Sequence, residues 1–171
     1  MKYLYFILSL LFLLGSLLLF SHLPLYLEKG LLREYPSVRE LQDTLKIQKL
    51  PLPAYLPEII NWPPSKILGQ STPHFAVTLE FKSNVNNDII LLLYISEKDN
   101  NKYPNNSIIT NPRNTFTTTI KNRPALIKTG LCEENVNCSE IIINDQRYTI
   151  SLKGKIQLPM LLRIAESINL E

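Results

Sequence analysis

Residues 75–82 read FAVTLEFK, and the alternation of apolar with polar side chains in this stretch indicates the kind of fold to expect. Every second residue is strongly apolar, and these residues are Phe75, Val77, Leu79 and Phe81. Successive side chains of a β-strand point to opposite faces of its sheet. The pattern therefore predicts a strand with one buried face.

More strands and a final helix follow. Ile89 to Ile95 is an almost unbroken apolar run, which predicts a central strand covered on both faces. Shorter strands are predicted at 108–110, 115–121, 125–128, 141–143 and 148–152, the last two joined by a polar hairpin turn. Apolar residues at helical spacing predict an amphipathic helix over 159–170. The predicted fold class is α+β, a curved antiparallel sheet of about five to seven strands packed against a C-terminal helix.

Three segments precede this α+β domain, which we assign to residues 74–171. The first, residues 1–22, contains a long apolar run, and its part from 3 to 21 would make a helix about 29 Å long, enough to span a bilayer. We predict a transmembrane anchor, with a cleaved signal peptide or a peripheral helix as the alternatives. Residues 23–49 are predicted as juxtamembrane amphipathic helices, one of them starting at a capping box of Ser37 and Glu40. Residues 50–73 are rich in proline and are predicted as an extended segment, called the strap below.

Two features of the sequence indicate on which side of the membrane the domain lies. Lys29, Arg33 and Arg39 follow the apolar run, and counted alone they favour a cytoplasmic domain. Cys132 and Cys138, a close pair in a polar stretch, are typical of an oxidising compartment. We expect a single-pass protein of the inner (plasma) membrane with an extracytoplasmic C-terminal domain.

The same two cysteines are the strongest chemical signal. A disulfide between Cys132 and Cys138 is the preferred prediction, with free thiols or a metal site as alternatives. The spacing is not CxxC, and the two histidines, His22 and His74, are distant in sequence, so no metal site is predicted.

Other motifs argue against an enzyme. His74 lies between Pro73 and Phe75, and no GxSxG, HExxH or glycine-rich phosphate loop accompanies it. It is interpreted as a histidine at the edge of a strand, with a general base as the alternative. We expect no catalytic residue and no cofactor. The 18 basic and 15 acidic residues are intermixed, so nucleic-acid binding is not expected either.

The strap carries candidate contact residues. Trp62 is the single tryptophan, and with Tyr55, Pro63 and Pro64 it would form a binding surface for a partner protein. The alternative is that Trp62 closes one end of the hydrophobic core. The oligomeric state is not assigned.

The C-terminal part of the chain adds a resemblance. RPA at 123–125, RYTISLKG at 147–154 and LLRIAESI at 161–168 resemble exported bacterial domains of unknown function that are related in shape to lipoprotein-sorting carriers. In those domains a "y-x-i-x-G" strand precedes a helix ending in "iAeSl". The resemblance implies an extracytoplasmic half-barrel, often tethered by one helix and sometimes attached to anti-sigma regulators. Because only Met1 and Lys2 precede the apolar run, we do not expect signalling by that route.

The sequence leads to two functional hypotheses. The first is a membrane-anchored extracytoplasmic binding protein, an assembly factor or auxiliary subunit that contacts the bilayer through residues 3–21 and another membrane protein through the strap. The alternative is a tethered carrier whose half-barrel holds an acyl chain, as the resemblance implies.

Overall fold

The computed structural model describes residues 32–98, 109, 111–132 and 136–170. In these residues one antiparallel sheet of eight strands is formed, in the spatial order β1-β2-β3-β4-β8-β7-β6-β5. The strands are Arg33–Glu34 (β1), Lys66–Gln70 (β2), Ala76–Lys82 (β3), Ile89–Glu97 (β4), Asn111–Ile120 (β5), Arg123–Leu131 (β6), Asn137–Asn144 (β7) and Tyr148–Gly154 (β8). The predicted α+β class is confirmed at this level.

Two helices accompany the sheet, Val38–Leu45 (α1) and Leu158–Ser167 (α2). Ser37 caps α1, because its hydroxyl accepts a hydrogen bond from the Glu40 amide at 3.1 Å. This is the contact that the capping-box motif predicts. The helix ends at Leu45, and Lys46 after it is in the left-handed region. Helix α2 begins with proline in its first turn, as expected, and packs against β7 and β8.

The hydrophobic core lies on one face of the sheet. Strand register places Leu79, Leu93, Leu152, Ile141 and Ile127 side by side across β3, β4, β8, β7 and β6. Each of the five is at most 1% exposed. Helix α1 covers this face over β2, and α2 covers it over β7 and β8.

The strap closes the core between the two helices. Pro53 forms a bridge to Ile168 at the end of α2, and Ile60 forms a bridge to Ser83 beyond β3. The strap therefore runs along the domain from one end of the sheet to the other. Its last part, Lys66–Gln70, is strand β2, because no proline interrupts those five residues.

Two expectations are corrected. The sheet has eight strands instead of five to seven, since β1 lies in the segment predicted as amphipathic helix and β2 lies in the strap. Strand β4 is fully buried on one face only, whereas β7 and β8 are buried on both. The predicted span at 3–21 and the predicted strand at 108–110 fall wholly or largely outside the described residues. No helix among the described residues is long and apolar enough to cross a membrane.

Candidate functional site: an apolar surface held by the strap

The strap is fixed to the end of β3 by backbone hydrogen bonds. The Asn61 amide donates to the Lys82 carbonyl at 2.9 Å, and the Ser65 amide donates to the Glu80 carbonyl at 2.8 Å. Trp62 lies between these two attachments. Its position is therefore set by the end of β3 as well as by the strap.

The Trp62 side chain packs on the core and also faces solvent. Its ring stacks on Phe81 with centroids 6.2 Å apart and an interplanar angle of 28°. Phe81 is fully buried, yet Trp62 stays 56% exposed. One side of the indole therefore covers the core, and the other side faces solvent.

Two further exposed apolar side chains share this end of the sheet. Ile59 belongs to the strap and Val85 to the β3–β4 loop, and Val85 is 81% exposed. Asn84 joins the two segments, since its amide donates to the Ile59 carbonyl at 3.0 Å and its side chain donates to the Glu58 carbonyl at 2.6 Å. We call Ile59, Trp62 and Val85 the Trp62 surface.

The other predicted contact residues do not all lie beside Trp62. Pro63 is exposed beside Trp62, whereas Pro64 is buried. Tyr55 is exposed but lies at the C-terminal end of α2, where its amide donates to the Ser167 hydroxyl at 3.1 Å. The structure therefore groups Trp62 with Pro63, and it places Tyr55 apart from them. Ile59 and Val85 were not among the predicted contact residues, because neither stands in a motif and their exposure depends on the contacts of Asn84.

Cys132 and Cys138 lie at disulfide distance, with their Cα atoms 5.7 Å apart. Both are buried against Ile109. The Cys132 amide donates to the Val136 carbonyl at 2.8 Å, which closes the turn between β6 and β7. The pair thus ties together the ends of two neighbouring strands.

His74 lies exposed in the β2–β3 connection, where its backbone carbonyl accepts a hydrogen bond from the Gln70 side chain at 3.0 Å. Among the described residues, no group of three or more histidine, cysteine, aspartate or glutamate side chains is placed to hold a metal ion.

A buried ionic cluster on the face opposite the core was not anticipated. Glu140 of β7 lies 3.3 Å from the Lys153 ammonium and 3.7 Å from the Lys128 ammonium, on the strands to either side. The Ser151 hydroxyl donates to the same carboxylate at 3.2 Å. Glu140 and Lys153 are both less than a tenth exposed. These residues are distant in sequence, and only the strand register brings them into one row.

A polar cleft of about 480 Å³ opens at the end of the sheet where β1 enters. Three segments line it, which are 48–51, 145–148 and 169–170. Lys49 and Arg147 contribute the cationic groups, and the Arg147 guanidinium stacks over the Tyr148 ring at 5.2 Å. No sequence motif pointed to this cleft, because its walls come from three loops that meet only in the fold.

The fold and the Trp62 surface define the class of this protein, a small α+β domain built on one antiparallel sheet. The chain belongs to the family described as "Domain of unknown function (DUF4367)", whose model matches residues 52–168. No curated protein and no solved structure matches the chain. The family match starts within the strap, so Trp62 and its attachments lie inside the family's domain. A specific link to lipoprotein sorting is not part of the match.

Proposed function

We propose that this protein is a membrane-anchored, extracytoplasmic binding protein that serves as an assembly factor or auxiliary subunit of a membrane-associated complex. It contacts another membrane protein through the Trp62 surface. The observation that carries the proposal is a half-exposed tryptophan stacked on a fully buried phenylalanine.

Such an arrangement suits a protein contact. Aromatic anchors dominate binding energies when they are rigid before binding, because less side-chain freedom is then lost. Trp62 is held by the Phe81 ring and by the hydrogen bonds of Asn61 and Ser65, so its exposed side is presented in one orientation. Ile59 and Val85 add apolar area at the same end of the sheet.

The anchored, extracytoplasmic part of the proposal rests on the sequence and on the cysteine pair. Residues 3–21 are long and apolar enough to span a bilayer. The disulfide-distance pair Cys132 and Cys138 fits an oxidising compartment, where such bonds persist.

The alternative, a tethered lipid carrier, requires space for an acyl chain between the sheet and α2. The described side chains there are fully buried in one cluster, including Leu161 and Ile164 of α2 and Ile141 and Leu152 beneath them. Dense packing of this kind leaves the carrier function without a supporting observation.

The test is recovery of the partner by tagged protein after cross-linking in cells and mild detergent extraction. Val85→Asp places a charge on the Trp62 surface at a side chain that is 81% exposed, so folding should be unaffected. We expect recovery of the partner to fall about tenfold or more, as for a hot-spot residue. Val136→Asp is the matched control, because Val136 is also exposed but lies in the β6–β7 turn. Equal recovery with both variants, or wild-type protein recovered alone, would contradict the proposal.

A further inference from the structure

The two edge strands of the sheet differ in length and in charge. On one side the sheet ends with β1, which has two residues, Arg33 and Glu34, both charged. On the other side it ends with β5, which has ten residues. Among the described strands, none lies beyond either edge. Natural proteins protect edge strands by making them short or charged, and only the β1 edge has that protection along its whole length.

Strand β5 is exposed along almost its entire length. Every residue from Pro112 to Thr119 is exposed, on both faces of the strand. Near its start the strand carries Pro112, Arg113 and a register irregularity, all of which disfavour pairing. From Asn114 to Ile120 the sequence NTFTTTI has no charge, no proline and no glycine. This segment therefore has the β-propensity and the free edge that allow another strand to be added.

The apolar core also extends to the β5 edge, where its last side chain remains exposed to solvent. The apolar row that crosses β3, β4, β8, β7 and β6 reaches Phe116 of β5, which is paired with Ile127. Ile127 is 1% exposed, whereas Phe116 is 44% exposed. An added strand would cover the outer side of Phe116 and extend the row by one position.

We propose that the β5 edge pairs with the β5 edge of a second copy of this chain, antiparallel and about a two-fold axis. A two-fold interface brings the same segment of both copies together. Any charged residues in that segment would therefore lie close to residues of the same charge in the other copy. Because residues 114–120 are uncharged, pairing them in any antiparallel register places no like charges opposite each other within the segment. Thr115, Thr117 and Thr119 lie on one face of the strand, and threonine pairs across strands are favourable.

The short β1 strand also makes an open chain of copies, with β5 of one paired to β1 of the next, less favourable. Pairing β5 of one copy with β1 of the next would use only the two residues of β1. A β5–β5 pair uses a long segment from both copies and closes on itself, leaving only the short, charged β1 edges exposed.

The pairing is compatible with the proposed function and does not depend on it. The Trp62 surface lies by β3 and the β3–β4 loop, and β4 is four strands from β5, about 19 Å at the usual spacing. Both surfaces can be occupied at once.

The first test measures the mass of the full chain in a mild detergent by light scattering, with Thr117→Lys against wild type. We expect wild type to be a dimer and Thr117→Lys to be a monomer, because two lysines would meet near the two-fold axis. Thr44→Lys is the matched control, since Thr44 is an exposed threonine on α1, and it should remain a dimer. A mixture of Thr117→Lys with Thr117→Glu should restore the dimer. Such a rescue would require contact between the two residues at position 117. Association through the apolar segment at 3–21 would not respond to these charges, so the mixture distinguishes the two modes of association.

The second test fixes the geometry by cysteine cross-linking. Cysteines placed singly at Thr115, Thr117 or Thr119 should give a covalent dimer under mild oxidation at one or more of these positions. Asn86→Cys, in the exposed β3–β4 loop, should give none. A monomeric wild type, a dimer unaffected by Thr117→Lys, or cross-links from β5 only to a different protein would each overturn the proposal.

Discussion

At the level of single residues, Glu140 shows that strand pairing can place charge inside this protein. Its carboxylate is buried between the ammonium groups of Lys128 and Lys153 and accepts a hydrogen bond from Ser151. Removing one member of a buried ion pair is costly because the other charge is left without compensation. The cluster therefore makes the central strands β7 and β8 sensitive to a change of charge at one position.

Glu140→Ala is expected to lower the free energy of unfolding by about 3 kcal/mol, because Lys153 would remain buried without its carboxylate partner. Urea denaturation followed by circular dichroism measures the change. Glu166→Ala, at an exposed acidic residue of α2, is the control and should have little effect. Equal midpoints for the two variants would show that the Glu140 contacts do not stabilise the fold.

The cysteine pair is the second prediction at this level. Replacing both Cys132 and Cys138 with alanine should lower the free energy of unfolding by about 2 kcal/mol, because a short loop in the unfolded chain is no longer closed. A reductant should lower the stability of wild type by a similar amount and leave the double variant unchanged. If reductant affects both proteins equally, the loss does not come from this disulfide.

At the level of secondary-structure elements, the position of α1 depends on a residue without a side chain. Gly69 of β2 lies directly beneath the helix, and a Cβ atom there would come within 2.7 Å of Leu41 Cδ1 and 3.1 Å of Leu45 Cδ1. Leu41 is fully buried, so it has little room to move away. A side chain at this position would therefore have to displace Leu41 or Leu45.

Gly69→Val should lower the free energy of unfolding by about 2 kcal/mol, since overpacking displaces α1 from β2. Thermal denaturation gives the stability, and faster amide hydrogen exchange in residues 38–45 would locate the effect. Lys66→Val introduces the same side chain on the opposite face of β2, where it is partly exposed, and should be nearly neutral. Unchanged exchange in α1 would contradict this account of the packing.

At the level of the whole molecule, the described domain carries two proposed binding surfaces, and the sequence before it predicts a membrane anchor. The chain enters the described structure at β1, next to the end of β2 that pairs with Ala76, and the Trp62 surface lies at the opposite end of β3. A strand of seven residues is about 23 Å long. Within the described domain, the first strand and the Trp62 surface therefore lie near opposite ends of β3.

The orientation across the membrane can be measured with one variant. Asn86→Cys places a single unpaired thiol in the exposed β3–β4 loop. We expect a membrane-impermeant maleimide to label this variant on intact cells, because the domain is proposed to be extracytoplasmic. Wild type should be labelled only after reduction, since its two cysteines are paired with each other. Labelling of Asn86→Cys only after lysis would place the domain in the cytoplasm.

Local pattern was sufficient for the strands and helices whose own residues determine them. Alternation predicted β3, the apolar run predicted β4, the polar turn predicted the β7–β8 hairpin, and Ser37 predicted the start of α1. Each depends on side chains within a few positions of one another, so periodicity and capping chemistry are visible in the sequence.

Tertiary structure alone decided the strand order, the Glu140 cluster and the contrast between the β1 and β5 edges. It also placed Trp62, Ile59 and Val85 at one end of the sheet and Tyr55 at the end of α2. The physical reason is that these features depend on pairing between segments far apart in the chain. Which strand lies beside which is set by the burial of the whole sheet, and no local pattern contains that information.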